Sequence, residues 1–346
     1  MRCLFWNVHY LRFINSYYEK NPGLELASYE YQKAAMNATF FGDGDLYTEG
    51  LRAVGWEADD LVQNCGQLQN AWARENGYTG NDIILEQIRR YKPDVLFSQA
   101  TFLLSQESHD AIRQHVKLIV GQQATPVRDF STAHWFDIVF TAYEPYIEKF
   151  AEVGVDAHYL PYAFESRVLD HLDVKERDLD VTFVGQVTGL HVRRRVLLEH
   201  MSNLGIDCWG PEGTEFTGNR YHGEAWGMDM FNILARSKIT INCTIDDTRE
   251  LGDRAGNMRL YEGTGCGALM VTEYRPQLDK LFEKDVEVVA YRNPEECMYL
   301  VRYYLAHPDE AAKIAKRGQE RTLKDHTYTK RMEYVAGILE DKLRRI

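Results

Sequence analysis

Gly256-Asn257-Met258-Arg259-Leu260-Tyr261-Glu262-Gly263-Thr264-Gly265-Cys266-Gly267-Ala268-Leu269-Met270-Val271-Thr272-Glu273 decides how this chain is read. The run predicts a short capped helix over 257–264, a glycine stop and a buried strand over 268–272. A small residue and Asn open the helix, so its first N–H groups face outward with the positive end of the helix dipole behind them, which suits a phosphate. Glu262 follows five residues after Asn257, about 7.5 Å along the axis and roughly the span from a diphosphate to its ribose. The arrangement points to a nucleotide-sugar site. Gly263-x-Gly265-x-Gly267 is not a dinucleotide fingerprint, because such a loop follows a strand and opens a helix, whereas these glycines follow a helix and open a strand.

Working outward, apolar runs alternate with helix-period segments from end to end, the pattern of βα units and parallel sheets. In the first half strands are expected near 2–8, 56–62, 94–98, 117–121, 137–141 and 157–160, with helices near 26–40, 81–91, 107–114 and 143–152. In the second half strands are expected near 180–185, 206–209, 238–243, 268–272 and 286–290. Helices are expected there near 190–204, 225–236, 257–264, 275–282, 294–306, 308–323 and 328–345. The charged segment His171–Asp178, with a fresh strand straight after it, marks a domain boundary. Residues 1–170 thus form an N-terminal domain, 171–327 a C-terminal domain and 328–346 a closing helix.

At 346 residues the chain has room for two domains, each with its own core. A net charge of −12 argues against broad nucleic-acid binding, which needs a surplus of Lys and Arg. The six cysteines are scattered without a C-x-x-C pair, so neither a zinc knuckle nor a redox motif is spelled, and reduced cytoplasmic thiols are expected. No run is long and apolar enough for a signal sequence or a membrane span, although peripheral membrane contact stays open.

The opening run resembles the donor-binding segment of group 1 glycosyltransferases with the GT-B fold, in particular the branch similar to the spore maturation protein CgeB. Asp180–Gly185 looks like that family's first strand of the nucleotide domain, and Tyr221–Gly227 like its next helix entry. Tyr291–Glu296, Tyr304–Pro308 and Asp325–Tyr328 resemble its closing helices, so the likeness runs from about residue 155 to 335. It implies an α/β chain of GT-B architecture: two Rossmann-like domains facing across a cleft, with the last helix crossing back to the N-terminal domain. It also implies transfer of a sugar from a nucleotide sugar, a uridine diphosphate sugar first among them, to a glycan, glycolipid, protein or small molecule, with no metal and no further cofactor. A nucleotide-sugar epimerase of similar fold, or a non-catalytic subunit that binds the sugar nucleotide, are the alternatives.

The resemblance assigns roles to individual residues. Glu262 falls on the second glutamate of the family's E-x7-E pair, which accepts hydrogen bonds from the ribose hydroxyls; the first falls at 254, where this chain has Arg254. On the residues alone, Glu262 can equally pair with Arg259 at i, i+3. Gly256, Asn257 and Met258 at the helix N-terminus would meet the diphosphate, and Arg259 would support Glu262 or reach a phosphate. The turn Gly185-Gln186-Val187-Thr188-Gly189 reads as a phosphate loop, and the family places a basic residue beyond it, with Arg193 ahead of Arg194 among the three adjacent arginines. His9 follows the first strand, at the edge where open α/β sheets place their sites, and some inverting GT-B enzymes carry a histidine base there. Asp43-Gly44-Asp45 imitates a metal-binding D-x-D but precedes a helical pattern, so one aspartate is expected to cap that helix. The pairs Asp59-Asp60 and Asp246-Asp247 are equally unspecific. Trp135, His134, Tyr143 and Trp226 are left without a role.

Overall fold

The computed structural model describes every residue except 100, 128, 188–190, 212–217 and 245–255. The chain divides into two compact units, Met1–Pro161 with Thr329–Ile346, and Tyr162–Tyr328. The break therefore lies between Pro161 and Tyr162, ahead of the charged segment 171–178.

The first unit is built on six parallel strands, β1 (Arg2–Asn7), β2 (Glu57–Val62), β3 (Val95–Ser98), β4 (Leu118–Gln123), β5 (Ile138–Thr141) and β6 (Asp156–Tyr159). Their order is β2-β1-β3-β4-β5-β6. β3, β4 and β5 are buried along their whole length, as expected of parallel strands covered on both faces. In the core Phe5 stacks on Tyr47 at 4.8 Å and meets Phe97 edge-on at 5.0 Å. The closing helix Tyr328–Leu343 buries Met332, Val335, Ala336 and Leu339, one face at helical spacing. Within this unit Trp56 Nε1 donates to Glu340 at 3.2 Å, and Lys342 pairs with Asp156 at 3.3 Å.

The second unit repeats the plan with β7 (Leu179–Val184), β8 (Asp207–Trp209), β9 (Arg220–Tyr221), β10 (Ser237–Asn242), β11 (Leu269–Glu273) and β12 (Val289–Tyr291). Their order is β12-β11-β10-β7-β8-β9. The chain winds outward from β7 in one direction through β8 and β9, then returns to the other side through β10. The strand order thus reverses between β7 and β10, and their carboxyl ends flank the crevice in which open α/β sheets bind ligands. In the first sheet the corresponding reversal lies between β1 and β3.

Several expectations need correction. Helices Leu11–Lys20 and Gly66–Glu75 lie outside the expected set, whereas the helix expected after Asp43-Gly44-Asp45 forms as Leu46–Ala53. Arg220–Tyr221 is a strand, and the helix expected from about 225 begins at Met228. Asp45 occupies the N-cap position of Leu46–Ala53 without a side-chain cap bond, while Asp43 accepts a hydrogen bond from Gln99 Nε2 at 2.9 Å. The aspartate cap expected there does not form.

Candidate active site

The helix of the opening run spans Met258–Gly265, with Asn257 as its N-cap. Asn257 Oδ1 accepts from Leu260 N at 3.1 Å, and its Nδ2 donates to Asn242 Oδ1 at 2.9 Å, tying the cap to the last residue of β10. The backbone N–H groups of Met258 and Arg259 lie in the first turn, where helix geometry offers no intrahelical acceptor. Gly256 N donates to Gln277 Oε1 at 3.4 Å.

The expected glycine stop falls later than predicted. Gly263 and Gly265 sit inside the helix, where a Cβ would lie 2.4 Å from Met270 Cε and from the Phe164 ring respectively. Both are close packing points. Gly267, at φ +74°, is the left-handed residue that ends the turn.

Arg259 and Glu262 form an ion pair, Nη1 to Oε2 at 2.8 Å, on one face of this helix. Arg259 Nε donates to the Val184 carbonyl at 3.0 Å, so the pair sits beside the end of β7. Burial raises the Glu262 pKa above the usual carboxylate value, and the neighbouring guanidinium partly offsets this. The i, i+3 pairing is therefore real, and it lies at the strand end where a nucleotide is expected.

Gly185 continues the β7 ladder by donating from its N–H to the Trp209 carbonyl at 2.9 Å. Arg194, buried, donates to the carbonyls of Gln186 and Cys243, the latter at 2.7 Å, and so staples the two loops at the switch point. Arg193 is half-exposed and donates to Glu273 Oε1 at 2.7 Å. Of the sequence-selected residues, Thr188, Gly189, Arg254, Asp246 and Asp247 lie outside the described residues.

In the first unit His9 follows β1 at that sheet's own switch point. Its backbone is latched to Asn64, which accepts from His9 N at 3.0 Å and donates to His9 O at 2.7 Å. The imidazole is 6% exposed and meets Phe13 and Phe41 edge-on at 5.9 and 5.6 Å. Burial lowers its pKa to about 4, so the ring is neutral at pH 7 and a weaker base than an ordinary imidazole of near-neutral pKa. Among the described residues no three His, Cys, Asp or Glu gather into a metal-holding group. Trp135, Tyr143 and Trp226 each donate to a neighbour within their own unit, namely Gln106, Ala124 and Glu224.

Residues 193–337 match a protein family described as glycosyl transferase-like. Solved structures match over the whole chain: a glycosyltransferase from Rickettsia africae has a TM-score of 0.64 at 9% identity, covering 100% of this chain and 99% of its own. Anabaena HepE in complex with UDP-glucose has a TM-score of 0.61 at 11% identity, covering 99% and 100%. An alpha-glucosyltransferase in complex with UDP-glucose and DNA containing an abasic site has a TM-score of 0.64 at 9% identity, covering 98% and 99%. This chain is a glycosyltransferase of GT-B fold. No curated protein sequence matches it. Among its described residues no helix is long and apolar enough to cross a membrane.

In this glycosyltransferase the second unit collects Gly185, Gln186, Asn257, Arg259 and Glu262 around the ends of β7 and β10. The residues missed by sequence reasoning stand one strand further on. Glu273 at the end of β11, Arg275 two residues later and Thr244 after β10 form a single bonded cluster with Arg193. The usable signal was the charged Glu273-x-Arg275 directly after a buried parallel strand, at the edge where such sheets bind ligands.

Proposed function

We propose that this glycosyltransferase moves a hexosyl group from a UDP-sugar to an acceptor hydroxyl without a metal, in the manner of the CgeB-like branch. The observation that carries the reading is the Asn257-capped helix, presenting the N–H groups of Met258 and Arg259 and the ion pair of Arg259 with the buried Glu262 at the β7/β10 switch point. Support comes from the UDP-glucose bound by two proteins of the same fold.

In this scheme the N–H groups of Met258 and Arg259, the helix dipole and Arg193 face the diphosphate. They stabilise the charge that develops as the bond from the anomeric carbon to the β-phosphate oxygen breaks. Gly185 and Gln186 bring backbone close to the nucleotide, and Glu262 accepts from the ribose hydroxyls. The acceptor oxygen forms the new bond to the anomeric carbon. Its proton passes to His9, whose ring is neutral at pH 7, in a reaction that inverts the configuration.

The test is a thermal-shift screen of UDP, ADP and GDP and their sugar conjugates, followed by product analysis with the conjugate that binds. A ligand present at 100 times its dissociation constant stabilises by about 2.7 kcal/mol, a shift easily read. Release of UDP that depends on an acceptor supports transfer. A new sugar still attached to UDP in the absence of acceptor marks an epimerase, and binding without turnover marks a non-catalytic subunit.

A further inference from the structure

β11 lies between β10 and β12, so its last side chain stands at the carboxyl edge, one strand from the switch point. Glu273 is buried there, at 9% exposure. A carboxylate taken out of water is costly unless paired and hydrogen-bonded, and this one is held on both oxygens. Arg193 and Arg275 each donate to Oε1 at 2.7 Å, while Thr244 Oγ1 donates to Oε2 at 2.7 Å. One carboxylate thus draws together the helix after β7, the segment after β10 and the loop after β11. Two guanidiniums thus share one carboxylate oxygen here.

The cluster is also joined to the capped helix. Asn242 accepts from Asn257 Nδ2 at 2.9 Å and donates through its own Nδ2 to Thr272 Oγ1 at 3.0 Å, and Thr272 immediately precedes Glu273. The cap that presents the first-turn N–H groups and the carboxylate that holds the two arginines are therefore consecutive links of one bonded frame. A guanidinium carries five N–H donors in a fixed fork, so the single bond from Arg275 to Glu273 fixes its place while leaving it capable of further bonds.

We propose that Glu273 is a positioning residue for the donor diphosphate, holding Arg193 and Arg275 side by side, and that Arg275 is a second guanidinium contact for that diphosphate. The proposal rests on the nucleotide-sugar reading above. Glu273 itself does not touch the donor. It trades some of the local positive charge for a fixed geometry, which favours the transition state over simple tight binding of the product.

The test compares the native chain with Glu273→Gln, Arg275→Gln and the double variant. UDP affinity is measured by calorimetry, kcat and KM with the UDP-sugar that the native chain turns over, and melting temperature alongside. Arg275→Gln is expected to weaken UDP binding about 10- to 100-fold, the loss of a charge-assisted hydrogen bond. Glu273→Gln is expected to bind UDP as tightly as the native chain or more so, because a negative charge has gone, while kcat falls about 10-fold or more. In the double variant the Glu273 substitution costs less than it does alone, since part of its effect runs through Arg275 and only the part through Arg193 remains.

A merely structural glutamate would lower the melting temperature, affinity and kcat together, and its cost would add to that of Arg275→Gln; that result overturns the proposal. Should Glu273→Gln not fold, Arg275→Lys keeps the charge without the fork, and an unchanged kcat there is equally fatal. Native protein that binds none of UDP, ADP and GDP removes the donor-site reading itself. Native protein that binds UDP with Arg275→Gln affinity unchanged removes only the present inference.

Discussion

Glu262→Ala should do two separable things. Its carboxylate is buried and its Oε2 lies 2.8 Å from Arg259 Nη1, so the substitution leaves a half-buried guanidinium whose Nε keeps the Val184 carbonyl but whose charge has lost its partner. Breaking a buried pair from one side costs about 3–5 kcal/mol. Because Nε stays bonded, the low end applies, about 3 kcal/mol, which for a unit of this size lowers the melting temperature by about 6–12 °C. Independently, loss of the ribose acceptor should weaken UDP binding by about 1.5–3 kcal/mol, read by calorimetry well below the melting temperature. Glu262→Gln keeps the volume and an acceptor oxygen, so it should fall between the two on both readouts. A variant that melts like the native chain would refute the packing argument. One that melts early but binds UDP with native affinity would make Glu262 a structural partner of Arg259 alone and remove the ribose contact from the proposed site.

Four further outcomes are expected. His9→Phe should reduce turnover about 100-fold with UDP affinity little changed, and product of retained configuration would exclude His9 as the base. The folded pKa of His9, about 4, lies below its unfolded value of 6.5, so the unfolded chain binds the proton more tightly. The native side chain therefore contributes stability above pH 6.5 that is lost as pH falls through 4, about 3 kcal/mol in all; urea titrations at pH 4 and pH 7 should differ by that much less in His9→Phe. Gly265→Ala forces a Cβ to within 2.4 Å of the Phe164 ring and should cost about 1–3 kcal/mol, visible as a lowered melting temperature. Transfer should survive excess chelator, and Asp43→Asn with Asp45→Asn should cost little activity; inhibition by chelator reversed by manganese and tracking the two aspartates would move the diphosphate site to Asp43-Gly44-Asp45.

What could be read in advance follows the range of the interactions involved. Buried parallel strands such as Val95–Ser98 and Leu269–Glu273 announce themselves as short apolar runs, because both faces are covered and no alternation is needed. The helix Gly66–Glu75 escaped because it opens on glycine and is mostly polar, although its buried Leu68, Ala71 and Trp72 keep the i, i+3, i+4 spacing. β9 has two residues, too few for any periodicity. The same logic separates the two halves of the proposed donor site. Cap, arginine and glutamate on the Asn257 helix lie within six consecutive residues, so helix geometry alone brings Arg259 to Glu262. The Glu273 cluster joins residues 80 and 29 positions apart, to Arg193 and Thr244, and no local pattern encodes it.

Strand order nonetheless confines where such distant partners can meet. β7, β10 and β11 are parallel neighbours in one sheet, so their carboxyl ends stand at the same edge, and the residues that follow them must converge there whatever their separation in sequence. Gln186, Thr244 and Arg275 each lie two residues beyond the end of one of these strands. A charged side chain just past a buried parallel strand adjoining the switch point is therefore a site candidate on topology alone. By that rule Glu273 and Arg275 are site candidates before any side chain is placed, whereas Arg193, on the helix Val192–His200, joins them only through its bond to Glu273. The rule does not find Glu262, which reaches the same edge from the side of a helix, held by the bond from Arg259 to the end of β7.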